Sequence, residues 1–185
     1  MINLPNTLTL MRILAVPAFL SMLTEGRYQL ALIIFMAAGA TDALDGAIAR
    51  LTDTRTELGA HLDPLADKLL LLSSFIALGI LGEIPLRLMI MVIVRDVVIL
   101  GGFSLSALLV GRSMPMSPTL PGKLTTFAQL VTVSAVMLVL AEWIKPPPGF
   151  LTITFITTGL LTLFSGIDYV RLGLTWYQKS GAAEQ

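Results

Sequence analysis

Asp42, Asp45, Asp63 and Asp67 stand in one short stretch that reads DALDGAIARLTDTRTELGAHLDPLAD, flanked on both sides by long apolar runs. A charged carboxylate at the centre of a membrane helix costs about 2.5–3.5 kcal/mol on insertion scales. Several of them together need a cation, a water-filled cavity, or both. Asp42 and Asp45 are three apart and Asp63 and Asp67 four apart, so on helices each pair shares a face. Carboxylate oxygens suit hard cations such as Mg²⁺, Mn²⁺ or Ca²⁺. Two such pairs suffice for a two-ion site that clamps the attacking and leaving oxygens of a phosphoryl displacement. Gly46 follows Asp45 directly, and Ala49 and Gly59 add further small residues. A position without Cβ admits a ligand or another backbone closely. Arg50 offers a planar fork for diphosphate oxygens. Carboxylates, a small-residue floor and a phosphate clamp together suit a metal-bound nucleoside diphosphate.

Each part has a blander reading. Asp42 and Asp45 read as a solvated helix end, and Asp63-Pro64 as an N-cap followed by proline at the first helical position. Asp53 and Glu57 read as loop charges and His61 as an interfacial residue. The combination with Gly46, Gly59 and Arg50 favours the site.

The elements that must carry these residues are membrane-like. The chain of 185 residues is 55% hydrophobic and 13% charged, against about 25% charged in soluble domains. It is long enough for one domain, taken as residues 1–185. Net charge is zero, so no nucleic-acid footprint is visible. Cysteine is absent, which excludes disulfides and thiolate metal sites. The expected class is all-α, an integral membrane bundle of six spans. They run near Leu8–Leu23, Tyr28–Arg50, Asp63–Leu81, Pro85–Val110, Gly122–Trp143 and Phe150–Tyr169, each near the twenty residues a span requires. The opening NLPNTLTLMR mixes polar residues with leucine and is compatible with a short interfacial helix or a ragged helix start. The N-terminal apolar run has no small-residue cleavage site and reads as retained. With six spans, Arg50, Arg55, Arg112, Lys123, Arg171 and Lys179 share a side with both termini, and Arg27, Arg87 and Lys145 lie opposite. That bias puts the termini and the aspartates in the cytoplasm.

The spaced pattern Asp42-x2-Asp45-Gly46-x2-Ala49-Arg50-x8-Gly59-x3-Asp63-x3-Asp67 resembles the signature of the CDP-alcohol phosphotransferases, with all eight signature residues present. The likeness extends to the six spans and the NLPNTLTLMR opening. It implies transfer of a substituted phosphate from a CDP-linked donor to an alcohol, with release of CMP. It also implies Asp42, Asp45, Asp63 and Asp67 as ligands of Mg²⁺ or Mn²⁺, with two ions, and Asp67 as general base. Gly46, Ala49, Arg50 and Gly59 would hold the cytidine diphosphate portion. Homodimers, membrane-lipid partners and a bacterial inner-membrane location with a cytoplasmic active site are implied in the same way.

The acceptor must be chosen elsewhere. The NLPNTLTLMR and LDPLADKLLL stretches look most like members that use CDP-diacylglycerol and glycerol 3-phosphate. An anionic acceptor needs cations, and Arg95 and Lys123 fit, with Arg112 a looser candidate. Arg95 lies deep in an apolar run, so it should face the interior or pair with Asp96 or Asp67. Two features depart from that group, and the second, Arg95 followed by Asp96, looks closer to members that join CDP-diacylglycerol to phosphatidylglycerol, with inositol phosphate, serine and aminoalcohols as the remaining alternatives. Thr125 stands where a second lysine is expected, and Asp96 where glutamate is usual. A remote alternative is a divalent-cation or proton-coupled transporter. No second half of the sequence mirrors the aspartate segment, as paired transporter repeats would.

Overall fold

The computed structural model describes the backbone of residues 4–52, 57–110 and 119–181, and the side chains of 14–41, 68–102 and 119–178. Among the described residues there are six helices and no strand: α1 (Leu4–Thr24), α2 (Tyr28–Thr52), α3 (Glu57–Ile80), α4 (Leu86–Val110), α5 (Leu120–Leu140) and α6 (Phe150–Gly181). The runs of leucine, isoleucine, valine and alanine provide few helix breakers. Pro17 lies inside α1, and Pro5 sits in its first turn, where a missing N–H costs little.

Three of these helices end in the same way. After α1, Gly26 has φ 72° and the N–H groups of Gly26 and Arg27 donate to the carbonyls of Leu23 and Met22. After α3, Gly82 has φ 80° and the Gly82 and Glu83 N–H groups donate to Gly79 and Leu78. After α5 the pattern recurs at Glu142, with φ 59° and bonds from Glu142 and Trp143 to Val139 and Leu138. This is the Schellman arrangement, which satisfies carbonyls left open at a helix end. Glycine adopts the left-handed conformation freely, whereas at Glu142 the Cβ is strained.

Two compact units divide the chain. The first holds residues 1–83 and 133–148. Here α1 packs on both α2 and α3, and α2 touches α3. Phe19, Leu32, Phe35, Phe75 and Leu78 are buried, and the Phe19 and Phe35 rings lie 5.8 Å apart. The amide of Gln29 donates to the Ala141 carbonyl at 3.5 Å, next to the end of α5.

The second unit holds residues 84–132 and 149–185, with α4 packed on α6. Its interior is polar where a soluble bundle would be apolar. Thr125, Gln129, Thr132, Thr158, Thr162 and Ser165 are all buried. The Thr132 and Thr158 hydroxyls meet at 2.7 Å, and Thr125 donates across the α5–α6 seam to the Leu161 carbonyl at 2.9 Å. On the opposite face of α6, Ile153, Ile156, Leu160, Leu163, Phe164 and Ile167 are exposed. Small hydroxyl residues at helix contacts and apolar residues outside are the pattern expected where lipid surrounds a bundle.

The described helices differ from the expected spans in three respects. The opening stretch is not a separate element, because α1 runs unbroken from Leu4. The third helix starts at Glu57 rather than near Asp63, which removes the reading of Asp63-Pro64 as a helix start. Polar residues there lower hydropathy without breaking a helix. α6 extends to Gly181. At 1.5 Å per residue it is about 48 Å long, well beyond a hydrocarbon core of about 30 Å. Among the described residues, α5 and residues Phe150–Gln178 of α6 are long and apolar enough to cross a membrane. The described apolar parts of α1, α2 and α3 are shorter, at Leu14–Thr24, Tyr28–Thr41 and Lys68–Ile80.

Candidate active site

The eight motif residues divide between two neighbouring helices. Asp42, Asp45, Gly46, Ala49 and Arg50 lie in the C-terminal half of α2, and Gly59, Asp63 and Asp67 in the first half of α3. The backbone thus keeps both pairs in helical register, three and four residues apart, on helices that touch. Pro64 lacks an N–H, so α3 loses one backbone bond within the motif itself. The side chains of all eight residues lie outside the described ones, as do His61 and Arg112. Among the described residues no group of three acidic or histidine side chains could hold a metal.

The acceptor candidates fall in the second unit. Arg95 is buried within α4, at 6% exposure. Its Nη1 donates to Asp96 Oδ1 at 2.7 Å, and Nη2 and Nε donate to Ser165 Oγ at 3.0 and 3.4 Å. The guanidinium carbon stands 5.6 Å from the centroid of the Tyr169 ring, within cation–π range. Of the alternatives for Arg95, the structure displays the bridge to Asp96 and the inward orientation. The arginine also lines a groove of about 410 Å³ along the α4–α6 seam, otherwise formed mostly by residues such as Val94, Val98, Leu163 and Ile167.

Lys123 stands exposed in the first turn of α5 and forms no ion pair with another described residue. The preceding turn is closed by Thr119, whose Oγ1 accepts from the Gly122 N–H at 3.2 Å and whose carbonyl accepts from the Lys123 N–H at 3.0 Å. That is N-cap geometry. Thr125, where a second lysine was expected, is fully buried and bonded to the Pro121 and Leu161 carbonyls. A lysine there would bring an unpaired charge into the α5–α6 seam.

Sequence reading overlooked Ser165 and Tyr169. They are four apart on α6, so they share the face that meets Arg95. A serine and a tyrosine at that spacing in an apolar helix were the available signal.

The sequence profile of the CDP-alcohol phosphatidyltransferase family matches residues 2–165. The chain is 35% identical over 178 residues to the protein named "Probable phosphatidylglycerophosphate synthase" of Mycobacterium tuberculosis, covering 93% of this chain and 82% of the relative. It is 34% identical over 153 residues to the CDP-diacylglycerol–glycerol-3-phosphate 3-phosphatidyltransferase of Bacillus subtilis, covering 75% and 78%. It is also 33% identical over 151 residues to the CMP-forming cardiolipin synthase of Homo sapiens, covering 72% of this chain and 49% of that one. An unbroken eight-residue motif on two adjoining helices, matched by a profile over most of the chain, places this protein in the CDP-alcohol phosphatidyltransferase family.

Proposed function

We propose that this enzyme moves the phosphatidyl group of CDP-diacylglycerol to glycerol 3-phosphate and releases CMP. The observation that carries the reading is the complete aspartate motif on α2 and α3, in a chain whose relatives in Mycobacterium tuberculosis and Bacillus subtilis bear the names of that reaction.

The chemistry follows from the residue types. Asp42, Asp45, Asp63 and Asp67 form an all-oxygen donor set, which fits two Mg²⁺ or Mn²⁺ ions. Such ions, when bound, offset the charge of the diphosphate and of the departing CMP. Gly46, Ala49 and Gly59 leave room for the cytidine diphosphate, and Arg50 pairs with its phosphate oxygens. Asp67 takes the proton of the acceptor hydroxyl. That oxygen bonds to the phosphorus bearing the diacylglycerol. The bond from this phosphorus to the bridging oxygen breaks, and CMP leaves with that oxygen. Arg95, Lys123 and Arg112 supply positive charge for an anionic acceptor.

The same reading makes residues 1–185 one membrane domain with six spans, cytoplasmic termini and a homodimeric assembly in a bacterial inner membrane. The exposed apolar face of α6 and its buried hydroxyl face support a lipid setting. A lipid donor can then keep its tails in the bilayer while its headgroup reaches the aspartates.

A second reading, phosphatidylglycerol as acceptor, is favoured by the Arg95–Asp96 pair and by the human relative. Labelled CDP-diacylglycerol offered with glycerol 3-phosphate or phosphatidylglycerol decides between them. Phosphatidylglycerophosphate is the expected product, formed only with a divalent cation. Exclusive formation of cardiolipin would overturn the first choice.

A further inference from the structure

We propose that the groove between α4 and α6 holds one acyl chain of a resident bilayer phospholipid, whose phosphate pairs with Arg171. This rests on the reading of α4 and α6 as membrane helices, and the lipid it assigns is not consumed in the reaction. Two glycines of α6 bring the helices together. A Cβ built on Gly159 would stand 3.7 Å from Leu88 Cδ1, and one on Gly166 would stand 3.8 Å from Arg95 Cγ. The two contacts are seven residues apart on each helix, so α4 and α6 run parallel in one register. Beside that seam the surface recedes into the groove of about 410 Å³. Its walls include Ile90, Val94 and Val98 of α4 and Leu163, Ile167 and Val170 of α6, all of them exposed.

One end of the groove carries charge. Arg171 lines it and is exposed. Its backbone carbonyl accepts from the Thr175 hydroxyl at 2.6 Å. Its guanidinium has no ion pair or hydrogen bond among the described residues, Asp168 included. Depth along the helix says what this charge meets. Arg171 lies about 32 Å from the start of α6 at Phe150, so it stands at the edge of a hydrocarbon core of about 30 Å. Trp176 and Tyr177 follow, residue types that sit at headgroup level. From Arg171 back to Thr162 the groove covers about 14 Å of α6, close to the depth of one leaflet. A spanning helix of a second copy would need about twice that length. An apolar channel one leaflet deep, with a free guanidinium at the headgroup level, fits a single lipid tail and its phosphate.

The test is lipid binding to the full-length protein in detergent. Dioleoylphosphatidylglycerol is titrated into delipidated protein, and bound lipid per chain is counted by native mass spectrometry. The wild type should hold one lipid per chain. Ile167→Trp and Val98→Trp each fill the groove from one wall, and both should lose it. Arg171→Gln should weaken binding roughly tenfold, the loss of one charge-assisted contact, and Arg171→Lys should recover most of that. KM for CDP-diacylglycerol should stay unchanged in all four variants. Equal lipid binding by the wild type and both tryptophan variants would overturn the proposal. A rise in KM for CDP-diacylglycerol that parallels the loss of lipid would give the groove to the donor, and overturn it too. So would a wild type that holds no lipid and whose oligomeric mass falls in Ile167→Trp, which makes the groove a contact between copies. A wild-type chain that leaves the membrane fraction on alkaline extraction defeats instead the membrane reading on which the proposal rests.

Discussion

Removing Asp96 should expose how much the buried Arg95 depends on it. The two side chains are 6% and 10% exposed and meet at 2.7 Å. At that separation two unit charges attract by about 6 kcal/mol for an effective dielectric of about 20. Desolvation of both ions offsets much of this, so the pair's net contribution is small. Deleting one partner is different, because the other charge stays buried. Asp96→Ala leaves Arg95 with only the Ser165 hydroxyl and the Tyr169 face, and should destabilise the protein by about 3–5 kcal/mol. For a chain of this size that is a fall in Tm on the order of 10 °C. Arg95→Met should cost a similar amount, since Asp96 is buried and is then left without its guanidinium partner. The double variant should recover at least half of the Asp96→Ala loss. Thermal unfolding of the four proteins in one detergent gives the coupling energy directly. Losses that add to within about 0.5 kcal/mol would mean the two residues act independently, and the ion-pair account of the α4–α6 seam would fail.

Other outcomes follow from the motif and from the described helices. Asp67→Asn should suppress CMP release by at least a hundredfold while binding of CDP-diacylglycerol persists; unaltered release would remove Asp67 from the role of base. Stripping divalent ions with a chelator should abolish turnover, and Mg²⁺ or Mn²⁺ should restore it, as read from CMP formation. Glu142→Gly relieves a left-handed backbone at the end of α5 and should stabilise the protein by roughly 0.5–1 kcal/mol, seen as a higher Tm with unchanged activity. Thr158→Val removes the 2.7 Å contact with Thr132 and should cost about 1 kcal/mol; a neutral result would show that the hydroxyl ladder does not hold α5 to α6.

The sequence by itself determined the helical class, five of the six helix starts to within four residues, and the placement of the aspartate motif on two neighbouring helices. These are local properties. Apolar runs without breakers form helices, and spacings of three and four fall on one helical face. Where local cues misled, the cause was equally physical. Hydropathy falls at the membrane edge, but a helix does not stop there, so α3 began earlier and α6 ran on. Arg95, Thr125 and Tyr169 were decided only by the tertiary structure. Arg95 meets Ser165 across 70 positions, and Thr125 meets Leu161 across 36. No local pattern says which distant helix face a buried side chain will meet. An arginine among valines could equally have served a ligand, a carboxylate or a ring, and packing brought it to Asp96, Ser165 and Tyr169 together.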